Sequence, residues 1–175
     1  MTLKLKRTPG LYLVGFMASG KSTVGRTLAD ELGWSFSDLD SEIETQYGQT
    51  IAQIFAERGE SFFRDIENEA IRKRVRHIEA GTPTVVALGG GAFIQPRNWE
   101  LIQNNGVTVW LDCPLHYVQK RIGSDTSRPL AGDRDGLIKL FEDRRPLYGK
   151  ADFRIEISSD DVYDAVQEIL KLPIF

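Results

Sequence analysis

The sequence predicts an α/β fold in which a parallel sheet carries helices on both faces. Five short apolar runs, at 11–14, 34–37, 84–88, 107–111 and 153–157, alternate with longer amphipathic stretches. That alternation is the mark of βαβ units. A chain of 175 residues, 41% hydrophobic and 27% charged, suits one domain with a sizeable core. In such sheets ligands gather beyond the carboxyl ends of the strands, so motifs at those ends matter most.

The first strand, Leu11–Val14, runs into Gly15-Phe16-Met17-Ala18-Ser19-Gly20-Lys21-Ser22 and then a helix over 21–33 that Gly33 caps. The spacing fits G-x-x-x-x-G-K-[ST], the Walker A P-loop of nucleotide-binding proteins. Backbone N–H groups and a helix N-terminus together favour anionic oxygens. Gly15, Ala18, Ser19, Gly20, Lys21, Ser22 and Thr23 are therefore the expected ATP-binding residues. Lys21 would reach the β/γ-phosphates and the Ser22 hydroxyl would ligate Mg²⁺. Upstream, Lys4, Lys6 and Arg7 before an apolar stretch look like a short secretion signal, but cleavage there would destroy the P-loop.

After the strand Trp34–Ser37 comes Asp38-Leu39-Asp40. Two carboxylates at i and i+2 on an extended segment face the same side, one toward a metal and the other toward a substrate hydroxyl. The plainer reading has Asp40 capping the next helix. Ser41-x-x-Glu44 and Thr50-x-x-Gln53 look like capping boxes opening helices at 41–48 and 51–58.

A helix over 61–80 follows, with Phe62, Ile66, Ala70, Val75 and Ile78 along one face. Within "GESFFRDIE" (59–67), Arg64 and Glu67 are one turn apart beside two phenylalanines. A surface salt bridge is one reading; a partly dry guanidinium awaiting a carboxylate or phosphate is the other. The basic run Arg72–His77 is balanced by acids upstream and reads as a solvated helix face.

The strand Thr84–Leu88 ends in Gly89-Gly90-Gly91. Three glycines let the backbone approach a small, hydroxyl-rich acceptor, unless they merely make a tight turn. Helices at 96–104 and 114–122 flank the strand Val107–Leu111. The stretch 123–136, "GSDTSRPLAGDRDG", is the least regular and reads as a loop carrying Arg128. A helix at 135–145, then Arg144-Arg145-Pro146-Leu147-Tyr148, the strand Phe153–Ile157 and a helix at 161–171 complete the chain.

A net charge of −3 offers no basic field for nucleic acid or an anionic membrane. No stretch approaches the roughly 18 apolar residues of a membrane span. Cys113 is the single cysteine, so no internal disulfide forms, in keeping with a cytoplasmic protein.

Together "GFMASGKSTVGRTLA", "DLDSEIE", "GESFFRDIE", "LGGGA", "SRPL" and "RRPLY" resemble the shikimate kinases in order and approximate spacing, over nearly the whole chain. The resemblance implies a nucleoside-monophosphate-kinase-like P-loop fold with a five-stranded parallel sheet. It implies an acceptor-binding helical region at about 38–65 and a lid at about 123–136 within one domain, 1–175. The implied reaction is phosphorylation of the shikimate 3-hydroxyl by Mg-ATP, in aromatic amino-acid biosynthesis, by a monomer.

Carried over by motif, Asp38 joins the Mg²⁺ environment through water, and Asp40 binds the acceptor hydroxyl and serves as base. Arg64 and Arg144 clamp the shikimate carboxylate, and Gly89, Gly90 and Gly91 lie along its ring. Arg128 is the lid arginine over the phosphates, and Arg121 packs on adenine. Phe55 and Phe63 wall the acceptor, and Glu67 orients Arg64. Two departures stand out: Ala18 where glycine is frequent, and Ala131 where a second leucine is usual. Ala18 would constrain the loop if its position needs a positive φ.

Two other functions compete. Another small-metabolite kinase, such as a gluconate kinase, would keep the P-loop with less need for the Arg64/Arg144 clamp and the glycines. A non-catalytic ATP-binding module would not require the whole set Lys21, Ser22, Asp38, Asp40 and Arg128.

Overall fold

The computed structural model describes residues 10–123 and 134–175. Its sheet has five parallel strands in the order β2-β3-β1-β4-β5. They are β1 (Gly10–Val14), β2 (Ser35–Asp38), β3 (Thr84–Ala87), β4 (Gly106–Asp112) and β5 (Phe153–Glu156). All five predicted strands are present, with ends that differ by at most one residue.

β1 is central and buried at every position, as its unbroken apolar run requires. Leu11, Leu13, Val85, Val86, Val109 and Leu111 form the middle of the core, each at most 2% exposed. Because β1 pairs with β3 on one side and β4 on the other, the P-loop and the glycine triplet leave the sheet side by side. Leu88 N–H still bonds Leu13 O, so β3 is guided to the start of the triplet.

The helices are α1 (Lys21–Leu32), α2 (Leu39–Tyr47), α3 (Ile51–Glu79), α4 (Pro96–Gln103), α5 (Leu115–Ile122), α6 (Arg134–Tyr148) and α7 (Val162–Leu170). Gly33 ends α1 in the left-handed conformation, as expected. The Thr50/Gln53 capping box is formed at the start of α3.

Two local expectations are corrected. The helix predicted from Ser41 starts at Leu39, because Asp38 caps it by accepting from Ser41 N–H. Glu44 instead accepts from Ile51 N–H, tying α2 to the start of α3. Asp40 thus lies in the first helical turn, not on an extended segment. The two predicted helices 51–58 and 61–80 are present within α3, parted at Gly59, whose φ of 82° and ψ of 171° are not helical. Finally, α6 runs on through Pro146 to Tyr148, so Arg144 and Arg145 are on the helix and not after it. Pro146 removes one bond from the helical ladder close to its end.

The face of α3 is also rotated from the periodicity. Its buried residues are Ile54, Phe63, Glu67, Asn68, Ile71, Val75 and Ile78, while Phe62, Ile66 and Ala70 are half-buried. A satellite cluster of Ile43, Ile54 and Phe63 joins α2 to α3 and supports the acceptor side of the site. Among the described residues no helix is long and apolar enough to cross a membrane.

Candidate active site

A cavity of about 920 Å³ opens over the carboxyl ends of β1, β2 and β3. Its floor is the P-loop. Ala18 has φ 57°, the only positive φ outside glycine among the described residues, so the feared constraint is real. A left-handed alanine costs about 1–2 kcal/mol, which the loop's surroundings must offset. Gly15, at φ 145°, does not line the cavity; a Cβ there would meet Leu111 O at 2.8 Å. The other expected nucleotide residues, Ala18 to Thr23, do line it.

Lys21 is 9% exposed and donates to Gly15 O (2.8 Å), Phe16 O (2.7 Å) and Ser19 Oγ (3.3 Å). Its ammonium is held within the loop it would serve. Ser22 Oγ donates to Asp38 Oδ2, joining the start of α1 to the end of β2. A hydroxyl and a carboxylate meeting at the phosphate end form an oxygen pair suited to Mg²⁺ and its waters. Arg121 Nη1 donates to Ala18 O at 2.8 Å, and Nη2 to Asp160 Oδ1 at 3.2 Å. These bonds from Arg121, and then Lys120, hold the Asp160 carboxyl below its usual range. Arg121 therefore spans the rim between the P-loop and the turn before α7. Arg128 and Ala131 lie outside the described residues.

The acceptor side shows why three glycines stand together. A Cβ on Gly89 would lie 2.8 Å from Asp40 Oδ1 and 3.2 Å from Glu67 Oε2. One on Gly90 would lie 3.2 Å from Met17 N and 3.7 Å from Arg144 Nη1. One on Gly91 would lie 2.5 Å from Arg64 Nη2. The space that side chains would fill is taken by polar groups from α2, α3 and α6. Asp40, Arg64 and Arg144, distant in sequence, converge on this one short segment.

Arg64 and Glu67 are not a solvated surface pair. Arg64 Nη1 bonds Glu67 Oε1 at 2.9 Å, with the side chains 12% and 2% exposed. The Arg64 guanidinium also lies over the Phe63 ring, 5.3 Å from its centre, and Phe63 packs on Phe55 at 4.9 Å. Burial pushes the Glu67 carboxyl up to about 7, and Asp40's charge adds to this. The cations Arg64 and Arg144 oppose the shift without cancelling it.

The cysteine is a core residue, as expected: burial raises the Cys113 thiol. Two features escaped the sequence. Tyr148, 1% exposed, donates its hydroxyl proton to Gly90 O. Asp112, at the end of β4, holds both Arg145 (3.2 and 2.8 Å) and Arg154 (2.9 and 2.6 Å). The first had a visible trace in "RRPLY"; the second, a single aspartate after an apolar strand, had none.

A P-loop at the end of the central strand, facing a pocket where Asp40, Arg64 and Arg144 meet, defines a P-loop kinase of a small anionic acceptor. The family model described as shikimate kinase matches residues 17–172. The shikimate kinase of Persephonella marina is 44% identical over 91% of this chain and 96% of that protein. That of Sulfurihydrogenibium sp. is 42% identical over 91% of this chain and 95% of that protein. The chain belongs to the shikimate kinase family. Among solved structures, shikimate kinase from Acinetobacter baumannii in complex with shikimate aligns at a TM-score of 0.86 and 38% identity, covering 93% of this chain and 91% of that one. A gluconokinase from Sinorhizobium meliloti aligns at a TM-score of 0.55 and 17% identity, covering 94% and 91%. That second likeness is one of fold alone.

Proposed function

We propose that this chain transfers the γ-phosphoryl group of ATP to the 3-hydroxyl of shikimate, giving shikimate 3-phosphate and ADP. The observation that carries this reading is the convergence of Asp40, Arg64 and Arg144 on Gly89–Gly91, in the cavity that also holds Lys21. Two fork-shaped cations suit a planar carboxylate, and a carboxylate suits a hydroxyl that must lose its proton.

The P-loop amides and Lys21 bind and orient the phosphates. Ser22 and Asp38 would hold Mg²⁺, which supplies positive charge against the β- and γ-oxygens when bound. Arg64 and Arg144 fix the acceptor by its carboxylate, so its 3-hydroxyl is held toward the triphosphate. Asp40 orients that hydroxyl and takes its proton as the new O–P bond forms and the bond to the ADP oxygen breaks. Phe55 and Phe63 exclude water from the acceptor's apolar edge. Arg121 borders the base, and Arg128, on the proposed lid at about 123–136, covers the phosphates. The chain acts as a cytoplasmic monomer of one domain on free small molecules in this reading; sedimentation tests the assembly state.

The experiment is ADP release by purified protein with Mg-ATP and either shikimate or gluconate. Stimulation by shikimate with formation of its 3-phosphate is expected. Stimulation by gluconate alone would replace this reading with the sugar-acid kinase, and no stimulation by either would favour a non-catalytic module.

A further inference from the structure

We propose that Tyr148 is a positioning residue that sets the enzyme's preference for a carboxylate-bearing acceptor, by locking Arg144 to the carbonyl of Gly90. The inference rests on the functional reading above, in which Arg144 binds the acceptor's carboxylate.

Tyr148 closes α6, and its ring packs beside Trp110 of β4, with ring centres 6.1 Å apart. Packing alone would be served as well by phenylalanine, since a buried phenol is costly unless its hydroxyl is bonded. Here the hydroxyl is used on both sides. Its proton goes to Gly90 O, 58 residues earlier in the chain, at 2.5 Å. A hydroxyl keeps acceptor capacity after donating, and the Arg144 guanidinium, one turn back on the same helix, is near enough to favour the ionised phenol against its burial. The Gly90 carbonyl and the Arg144 guanidinium are thus both neighbours of one oxygen. Their proximity is seen independently, in the 3.7 Å between Arg144 Nη1 and the Cβ position of Gly90.

The next residue strengthens the lock. Arg145 is forked onto Asp112 at 3.2 and 2.8 Å, and so opposes rotation of α6 about its axis. An arginine on a free helix surface must give up much of its rotamer freedom to bind a carboxylate. Lodged between the Tyr148 hydroxyl and Gly90, Arg144 has given up part of that freedom already. Burial keeps the phenol protonated, with its pKa pushed up to about 12, so the proton donated to Gly90 stays in place at neutral pH.

The test compares wild type and Tyr148→Phe on two acceptors, shikimate and its methyl ester, which lacks the negative charge. The expected result is a five- to tenfold rise in KM for shikimate, KM for ATP within twofold of wild type, and a preference for shikimate over the ester that shrinks by a similar factor. A lower thermal midpoint with both acceptor parameters unchanged would make Tyr148 a core residue only and overturn the proposal. A second measurement repeats Tyr148→Phe in an Arg144→Ala background. There it should add less than twofold to the shikimate KM, whereas a full additive effect means Tyr148 does not act through Arg144. Wild type active on shikimate with an unaffected Tyr148→Phe defeats this proposal alone; wild type inactive on shikimate defeats the functional reading and this proposal together.

Discussion

Gly91 and Arg64 occupy one another's space: a Cβ at Gly91 would lie 2.5, 2.9 and 3.0 Å from Nη2, Nη1 and Cζ of the guanidinium. The glycine is therefore a condition on where the arginine can be. Its φ is not among the positive ones, so space and not backbone conformation is what excludes a side chain.

Gly91→Ala should accordingly leave the fold intact and displace Arg64, because the clashing atoms are the far end of a side chain. We expect the shikimate Kd to rise about tenfold or more, a loss on the order of 1.4 kcal/mol, with nucleotide affinity unchanged. Titration calorimetry with each ligand measures both. Equal weakening of both ligands would mean that the substitution disturbs the sheet end as a whole.

Glu67 makes stability depend on pH in an unusual direction. Its carboxyl is raised from 4.5 to about 7 in the folded chain, chiefly by burial. Below about 4.5 both the folded and unfolded states hold its proton, so it adds no slope. Between about 4.5 and 7 the folded state alone keeps the proton, and rising pH favours unfolding. Above that range both forms are ionised and the effect levels off. Glu67→Gln removes this titration, so it should gain on wild type between pH 5 and pH 8. Urea unfolding at the two pH values checks it; a stability difference that stays constant, or moves toward wild type, contradicts the burial argument.

Asp40→Asn retains the shape of the acceptor pocket and removes its proton acceptor. General-base contributions are about 10²- to 10⁴-fold, so kcat should fall by that order while ATP still binds. Single-turnover rates and a fluorescent nucleotide titration separate the two effects. Wild-type turnover in this variant would move the base elsewhere.

The sheet was legible because each strand is a short apolar run closed by a turn signal, as at Leu11–Val14 before Gly15. The nucleotide floor was legible because P-loop chemistry is local, with Lys21 and Ser22 adjacent in sequence. The acceptor side was harder, because its logic is long-range. Three glycines reveal that something approaches, but not that it is Asp40, Arg64 and Arg144 from three helices. The face of α3 was misjudged because a buried Glu67 replaces an apolar residue in the stripe, and no periodicity anticipates a carboxylate that an arginine holds in the core. The end of α6 was misjudged because Pro146 signals a stop that the burial of Tyr148 overrides.

The central claim is that Arg64 and Arg144 share one carboxylate beside a triphosphate that Lys21 holds. Shikimate binding to Arg64→Ala and Arg144→Ala, measured by calorimetry with ATP binding as the internal control, tests it most directly. The account predicts that each substitution weakens shikimate at least tenfold and leaves ATP affinity within twofold. Shikimate binding unchanged in either variant would contradict it.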